Sequence, residues 1–366
     1  MGNMVGMMRR VMSAAMVLAL AGCCGAAFGQ ALGQTSGPWV LEKSGTTAGL
    51  RGIHAVGGGI AWASGTNGTV LRTEDGGYEW QSCAMPPGAE KLDFRGIWAW
   101  DDNTAIVMAS GPGDASRLYK TVDGCSSWKL LFTNPDKDGF WDAVNCARKH
   151  ICTVIGDPVN GAFVVLRSWD GGITWDREVG GSLAADPKKQ GVFAASNSSL
   201  AIDQMDRWRF FGTGGLSGSS LFFSCEPCRS SSWRVWPVPV FAKNSTSGIF
   251  SIGTRPSRSG EPFIIAVGGD YTKPNESFGT VAWSADGGKT WTAAVKPPHG
   301  YRSAVAWDAD AKAWIAAGTN GSDVSFDDGK TWTPLDNGNW NALSLPWVVG
   351  PDGRIAKLDP GKLKKP

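Results

Sequence analysis

The chain has 366 residues, 42% of them hydrophobic, which is enough for a sizeable core, and its 35 basic and 33 acidic residues give a formal charge of +2. That near balance excludes nucleic acid as the main partner, because phosphate binding needs a basic surface or stripe. Beyond the first 30 residues, no stretch is long and apolar enough to cross a bilayer as a helix.

Residues 1–30 read as an export signal. Arg9 and Arg10 precede a short apolar run from Val11 to Leu20, and small residues follow. Leu20-Ala21-Gly22-Cys23 has the form of a bacterial lipobox, which would make Cys23 the lipidated N-terminus; cleavage after Ala27-Phe28-Gly29 is the alternative. Removal of the segment leaves 33 basic and 33 acidic residues. An exported protein of the periplasm or outer envelope is expected. A single domain should span 38–360, followed by a solvated basic tail, 361–366, around Lys362, Lys364 and Lys365.

Six cysteines remain after Cys23 and Cys24, and an even number in an exported chain points to disulfides. Cys146 and Cys152 flank a hairpin tip and should pair. Cys225 and Cys228 can close a small loop, which leaves Cys83 with Cys125. No metal site is expected. Cys225-Glu226-Pro227-Cys228 lacks a second ligand pair, and His54, His150 and His299 do not cluster.

The strands come in chain order as one repeated unit. Trp39-Val40-Leu41-Glu42 is a strand with no unit of its own. Next comes Arg51-Gly52-Ile53-His54-Ala55, then the Gly-ended Ala61–Gly65, then Gly68–Thr73, and then a turn, Thr73-Glu-Asp75-Gly-Gly77-Tyr-Glu79-Trp80. The turn returns as Thr121-Val-Asp123-Gly-Cys125-Ser-Ser127-Trp128 and as Ser168-Trp-Asp170-Gly-Gly172-Ile-Thr174-Trp175. It returns again as Ser284-Ala-Asp286-Gly-Gly288-Lys-Thr290-Trp291 and Ser325-Phe-Asp327-Asp-Gly329-Lys-Thr331-Trp332, with a degraded copy at Ser224–Cys228. The copies start 48, 47, 56, 60 and 41 residues apart. In this pattern Asp75, Asp123, Asp170, Asp286 and Asp327 should be structural, each accepting backbone N–H bonds across a tight turn. Glycine supplies positive φ, and the Trp buries its ring under the turn. Four short strands per unit at this period are propeller blades. Asn339 to Leu358 supplies three strands of a seventh unit without a turn copy. The expected fold is all-β: a seven-bladed propeller of four-stranded blades, the last closed by the N-terminal strand.

These turns identify the chain as a member of the BNR/Asp-box superfamily. Asp93-Phe94-Arg95-Gly96-Ile97, Gly111–Tyr119, Gly156–Gly161, Gly268–Pro274 and Gly300–Val305 make it similar to a bacterial group related to the photosystem II stability/assembly factors. The resemblance implies a seven-bladed, non-catalytic propeller that binds a protein partner, a newly made membrane-protein subunit in those factors, through an arginine-bearing face. No cofactor is implied, and a monomer is expected.

The free face should be the one opposite the turns, built from loops between second and third strands and from the starts of inner strands. It should hold Arg117, Asp157, Tyr271, Lys273 and Asp323. Matching the starts of inner strands puts Arg51, Arg95 and Arg302 at one position, with Trp141, Phe250 and Trp340 there in other blades and Asp142 beside it. Three converging arginines would read an anion or carboxylate. The competing expectation is that each is tied to a neighbouring acid such as Asp93 or Asp142. The alternative function is glycoside hydrolysis on a sialidase-like or glucanase-like propeller, in which an arginine trio and a carboxylate pair would do the chemistry. Phe94-Arg95-Gly96-Ile97 only approaches the sialidase signature.

Overall fold

The computed structural model describes residues 37–366 apart from 148–149, 204, 226–232, 259, 364 and 366. Cys23, Cys228 and the expected signal segment lie outside the described residues. Among those described are seven antiparallel sheets of four strands each, and the fold is an all-β, seven-bladed propeller. The first six blades run, inner to outer strand, from Leu50–Gly57 to Gln81–Ser82, Phe94–Ala99 to Lys129–Thr133, Trp141–Ala147 to Asp176–Arg177, Leu200–Ile202 to Arg234–Pro237, Ser247–Arg255 to Thr292–Ala293, and Ala304–Asp308 to Thr333–Asp336. The seventh has Ala342–Ser344, Trp347–Val349 and Ile355–Leu358, and its outer strand is the N-terminal Trp39–Glu42. Trp39 pairs with Leu358 and Glu42 with Ile355, so the two ends of the domain share one sheet.

The core lies between the blades. Among the described residues, seven clusters of buried apolar side chains each join two adjacent blades. Trp62 of the first blade packs with Phe94, Val107 and Tyr119 of the second. Leu50 and Leu71 of the first pack with Trp347 and Ile355 of the seventh. Seven interfaces for seven blades leave no open face, which is the condition for a closed ring.

The turn copies close alike. In the third blade the Ser168 hydroxyl donates to Asp170 Oδ1 at 2.8 Å and accepts the Gly172 N–H at 2.8 Å. Asp170 then accepts the Thr174 N–H at 2.9 Å and its hydroxyl at 2.6 Å. The turns at Asp75, Asp123, Asp286 and Asp327 repeat the hydroxyl–carboxylate contact and the N–H bond four residues on. Trp80, Trp128 and Trp332 are buried behind them. Each carboxylate therefore accepts hydrogen bonds from its own turn.

Two disulfides join pairs of described residues. Cys146 and Cys152 are cross-strand partners across their hairpin with Cα atoms 4.0 Å apart. Cys83, just beyond the outer strand of the first blade, is joined to Cys125 in the turn of the second. Cys125 stands where the copies at Asp75, Asp170, Asp286 and Asp327 have glycine and keeps the left-handed φ of 63°. The bond thus ties neighbouring blades at their periphery. Cys225 is buried at the end of its strand.

The hydrogen bonds of the Thr174 side chain and main chain, set against slight desolvation, hold the Asp170 pKa down at about 2. Its unfolded value is about 3.9. A depressed acid stabilises the fold above the unfolded value and loses that effect as pH falls toward the folded one. Asp170→Asn should lower stability near neutral pH by on the order of 1 kcal/mol, by analogy with lost helix caps. Urea midpoints of the two proteins should converge as pH falls from 4 to 2; a gap that persists at pH 2 counts against the charged-turn account.

Candidate functional site

On the face opposite the turns, the ring opens into a cavity of about 510 Å³. Its walls come from the starts of inner strands and from the loops between second and third strands. Four inner strands carry a register shift at their first residues, bracketing Arg51, Arg95, Asp142 and Phe250. A bulge re-aims one side chain out of the alternation of the strand. The residue before each, Leu50, Phe94, Trp141 or Ile249, is fully buried between blades. The bulged residue itself borders the cavity.

This register corrects the alignment expected for Arg302 and the tryptophans. The N–H groups of Leu50, Arg302 and Trp340 all donate to the carbonyl of a glycine at or near the end of the preceding blade's second strand, Gly350, Gly268 and Gly318, at 3.0, 3.1 and 3.1 Å. Arg302 is thus equivalent to Leu50, one residue short of Arg51, and a slip of one residue turns a side chain to the other face. Ser303 and Asn341 occupy the cavity positions in those blades. Arg302 is fully buried, with Nε donating to Asp323 Oδ2 at 2.7 Å and Nη1 to Asn320 Oδ1 at 2.6 Å. Asp323 is also buried and bonded to His299 at 2.9 Å. Trp141 packs flat on Phe132 with ring centroids 5.7 Å apart. Arg117 turns back to the Asp114 carbonyl, and Lys273 pairs with Glu276 at 3.4 Å; neither lines the cavity.

The cavity therefore gathers Arg51, Arg95, Asp142, Asp157 and Tyr271 of the expected set. Arg95 Nε donates to Asp93 Oδ2 at 2.8 Å, while Arg51 Nε lies 4.0 Å from Asp93 Oδ1. One carboxylate serves two guanidiniums, so a positive charge is left over. Both side chains keep about a third of their surface exposed, 36% and 30%. Beside them, Phe193 stacks on Phe250 with centroids 3.9 Å apart, and Tyr301 meets Phe250 edge-on at 4.8 Å.

No pattern in the sequence points to the floor of this cavity. The inner strand of the fourth blade is only three residues long, Leu200–Ile202, and the stretch before it crosses the channel. Asn197 donates to the carbonyls of Ile97 at 3.0 Å and Val144 at 2.9 Å, and accepts the Val144 N–H at 2.8 Å. Ser196 donates to the Ser303 carbonyl at 2.6 Å, and Ser198 to Ser251 Oγ at 2.7 Å. Four blades are bridged by three consecutive residues. The cavity is lined by Val192–Ala195 above this segment, and a smaller one of about 170 Å³ is lined by Ser196–Ser198 below it. The site is a blind cup rather than a channel mouth.

A family model described as photosynthesis system II assembly factor YCF48 matches residues 34–344. The chain is 24% identical over 310 residues to the photosystem II assembly lipoprotein Ycf48 of Synechococcus sp. (strain CC9902), covering 81% of this chain and 78% of that one. Two solved structures share the fold at 17% identity. They are YCF48 bound to D1 peptide, with a TM-score of 0.59 over 88% of this chain and 96% of the other, and YCF48 from Cyanidioschyzon merolae, with a TM-score of 0.60 over 88% and 99%.

Two substitutions separate structure from site. Arg302→Ala leaves the Asp323 carboxylate buried without its counter-charge and should cost about 3–5 kcal/mol in a denaturant titration; a loss within experimental error overturns the buried-pair assignment. Burial raises the Asp157 pKa to about 6. A raised acid weakens the fold as pH climbs from the unfolded value of about 3.9 to the folded one. Asp157→Asn should therefore gain stability over the parent between pH 4 and 6 and keep the gain above it, a trend that parallel melts across that range will show or refute.

Proposed function

Because this chain belongs to the photosynthesis system II assembly factor YCF48 family, we propose that it is a non-catalytic binding propeller whose cup captures an extended segment of a protein partner. The observation that carries this reading is the pair Arg51 and Arg95, which share one aspartate on the wall of a blind, aromatic-lined cup. A surplus guanidinium in a concave, partly dry setting is suited to a carboxylate. Rigid aromatic walls add contact area at little entropic cost. The relative bound to D1 peptide supports a polypeptide occupant, and a membrane-protein subunit as its source. The partner is then a client held during assembly or protected from damage, and the propeller acts as a monomer.

The lipoprotein name of the Synechococcus relative supports the same reading of Cys23 here. We place the protein outside the cytoplasm, tethered to the envelope by a lipid on that cysteine. The sialidase-like alternative loses its footing, since the trio of arginines it needs is split by the burial of Arg302.

The test is capture by immobilised protein from envelope extract, followed by elution with a synthetic peptide from the captured subunit. Arg51→Glu/Arg95→Glu should reduce capture at least tenfold with an unchanged melting temperature. Full capture by the folded double variant overturns the proposal.

A further inference from the structure

Arg51 and Arg95 account for only one part of the cup. Blade three brings two carboxylates to the same cavity. Asp142 is 1% exposed, and its Oδ2 has no hydrogen-bond partner. Asp157 accepts the Val192 N–H on Oδ1 at 2.9 Å. Burial, and then the neighbouring charge of Asp157, push the Asp142 carboxyl well above its ordinary range, against the opposing pull of the Arg95 charge and of the Asp157 main chain. Burial raises Asp157 as well. Asp157 and Phe193 also border an adjoining groove of about 300 Å³. Asp157 therefore lies where a segment leaving the cup would pass, with Asp142 behind it in the cup.

Two poorly solvated carboxylates destabilise each other, and a cation between them relieves both the repulsion and the desolvation. A divalent metal ion wants six or more oxygen ligands. Among the described residues no group of three His, Cys, Asp or Glu is placed to hold one. An organic cation needs fewer ligands and gains from ring faces. Phe193 and Phe250 are stacked on this wall, and Tyr271 stands half-exposed at the rim, edge-on to Phe250 with centroids 6.1 Å apart.

We propose that Asp142 and Asp157 form a cation subsite of the cup, which takes the ammonium or guanidinium group of a lysine or arginine carried by the bound segment. The inference rests on the reading of the cup as a polypeptide site. Arg51 and Arg95 then take a carboxylate of the same segment, so the cup selects a pair of opposite charges rather than net charge. Asp157 meets the cation first. Asp142 stands behind it, its charge disfavoured by burial while the cup is empty and matched when the cup is filled.

The probe is a phage-displayed library of random nonapeptides, selected on the mature protein and counter-selected on the Arg51→Glu/Arg95→Glu variant. Lysine or arginine should be enriched among the selected peptides. Replacing that residue with norleucine in a synthetic copy should weaken binding at least tenfold. Asp142→Asn and Asp157→Asn, both folded by near-ultraviolet circular dichroism, should weaken the parent peptide tenfold and leave the norleucine peptide within twofold. Selected peptides that bind through the arginines but are indifferent to norleucine, or to both Asn variants, overturn the subsite and leave the polypeptide reading standing. A library that yields no cup-dependent binder overturns both.

Discussion

Everything else in this molecule depends on the pairing of Trp39–Glu42 with Ile355–Leu358. The apolar faces of the blades pack only on their neighbours, so an open row would expose two apolar faces and two strand edges. Lending the N-terminal strand to the last blade removes both liabilities at once. It also makes the ring a cooperative object, since a blade cannot leave without opening two interfaces. Side chains reinforce the join. Trp39 Nε1 donates to Ser322 Oγ of the sixth blade at 2.8 Å. Glu42 accepts from Trp80 of the first blade at 2.8 Å and from Trp347 of the seventh at 3.2 Å. One short strand thus touches three blades.

Ring closure is legible in the sequence because it leaves a remainder: a strand with no blade at one end and a blade with no outer strand at the other. The turns are legible because each position has a separate backbone reason to be what it is. The cup is less so. A bulge has no residue code, and four of the cup residues are set by one. Leu50-Arg51-Gly52-Ile53 and Trp340-Asn341-Ala342-Leu343 share a pattern of large apolar, variable, small, apolar. Gly52 shows why the third place is small: a Cβ there would come within 2.9 Å of the Arg95 carbonyl oxygen. Read with that pattern, Arg302-Ser303-Ala304-Val305 puts the arginine in the large buried slot. Charge hid the match, because an arginine paired with a buried aspartate fills a place that leucine or tryptophan fills elsewhere.

The channel floor was hidden for a different reason. Ala194-Ala195-Ser196-Asn197-Ser198-Ser199 carries no periodicity and reads as a loop. Its role comes from contacts with residues 50 to 110 positions away, which no local pattern encodes. Asn197 takes a φ of 65°, a conformation that asparagine tolerates better than most residues. Small side chains let the backbone cross a narrow channel, and the hydroxyls and amide satisfy groups that would otherwise need water.

The floor changes what the acids on blade three mean. In an open channel Asp142 and Asp157 would be hydrated from both ends and would ionise as ordinary carboxylates. Closed off below, they are held in a setting that disfavours their charge, and Asp142 keeps one oxygen without a hydrogen bond while the cup is empty. The box carboxylates show the contrast. Asp170 is depressed to about 2 by bonds it makes within its own turn. A depressed acid has found its partners inside the fold, and a raised one with a free oxygen has not. By that criterion the turn face is complete in itself, and the cup is the surface with charge still to be matched.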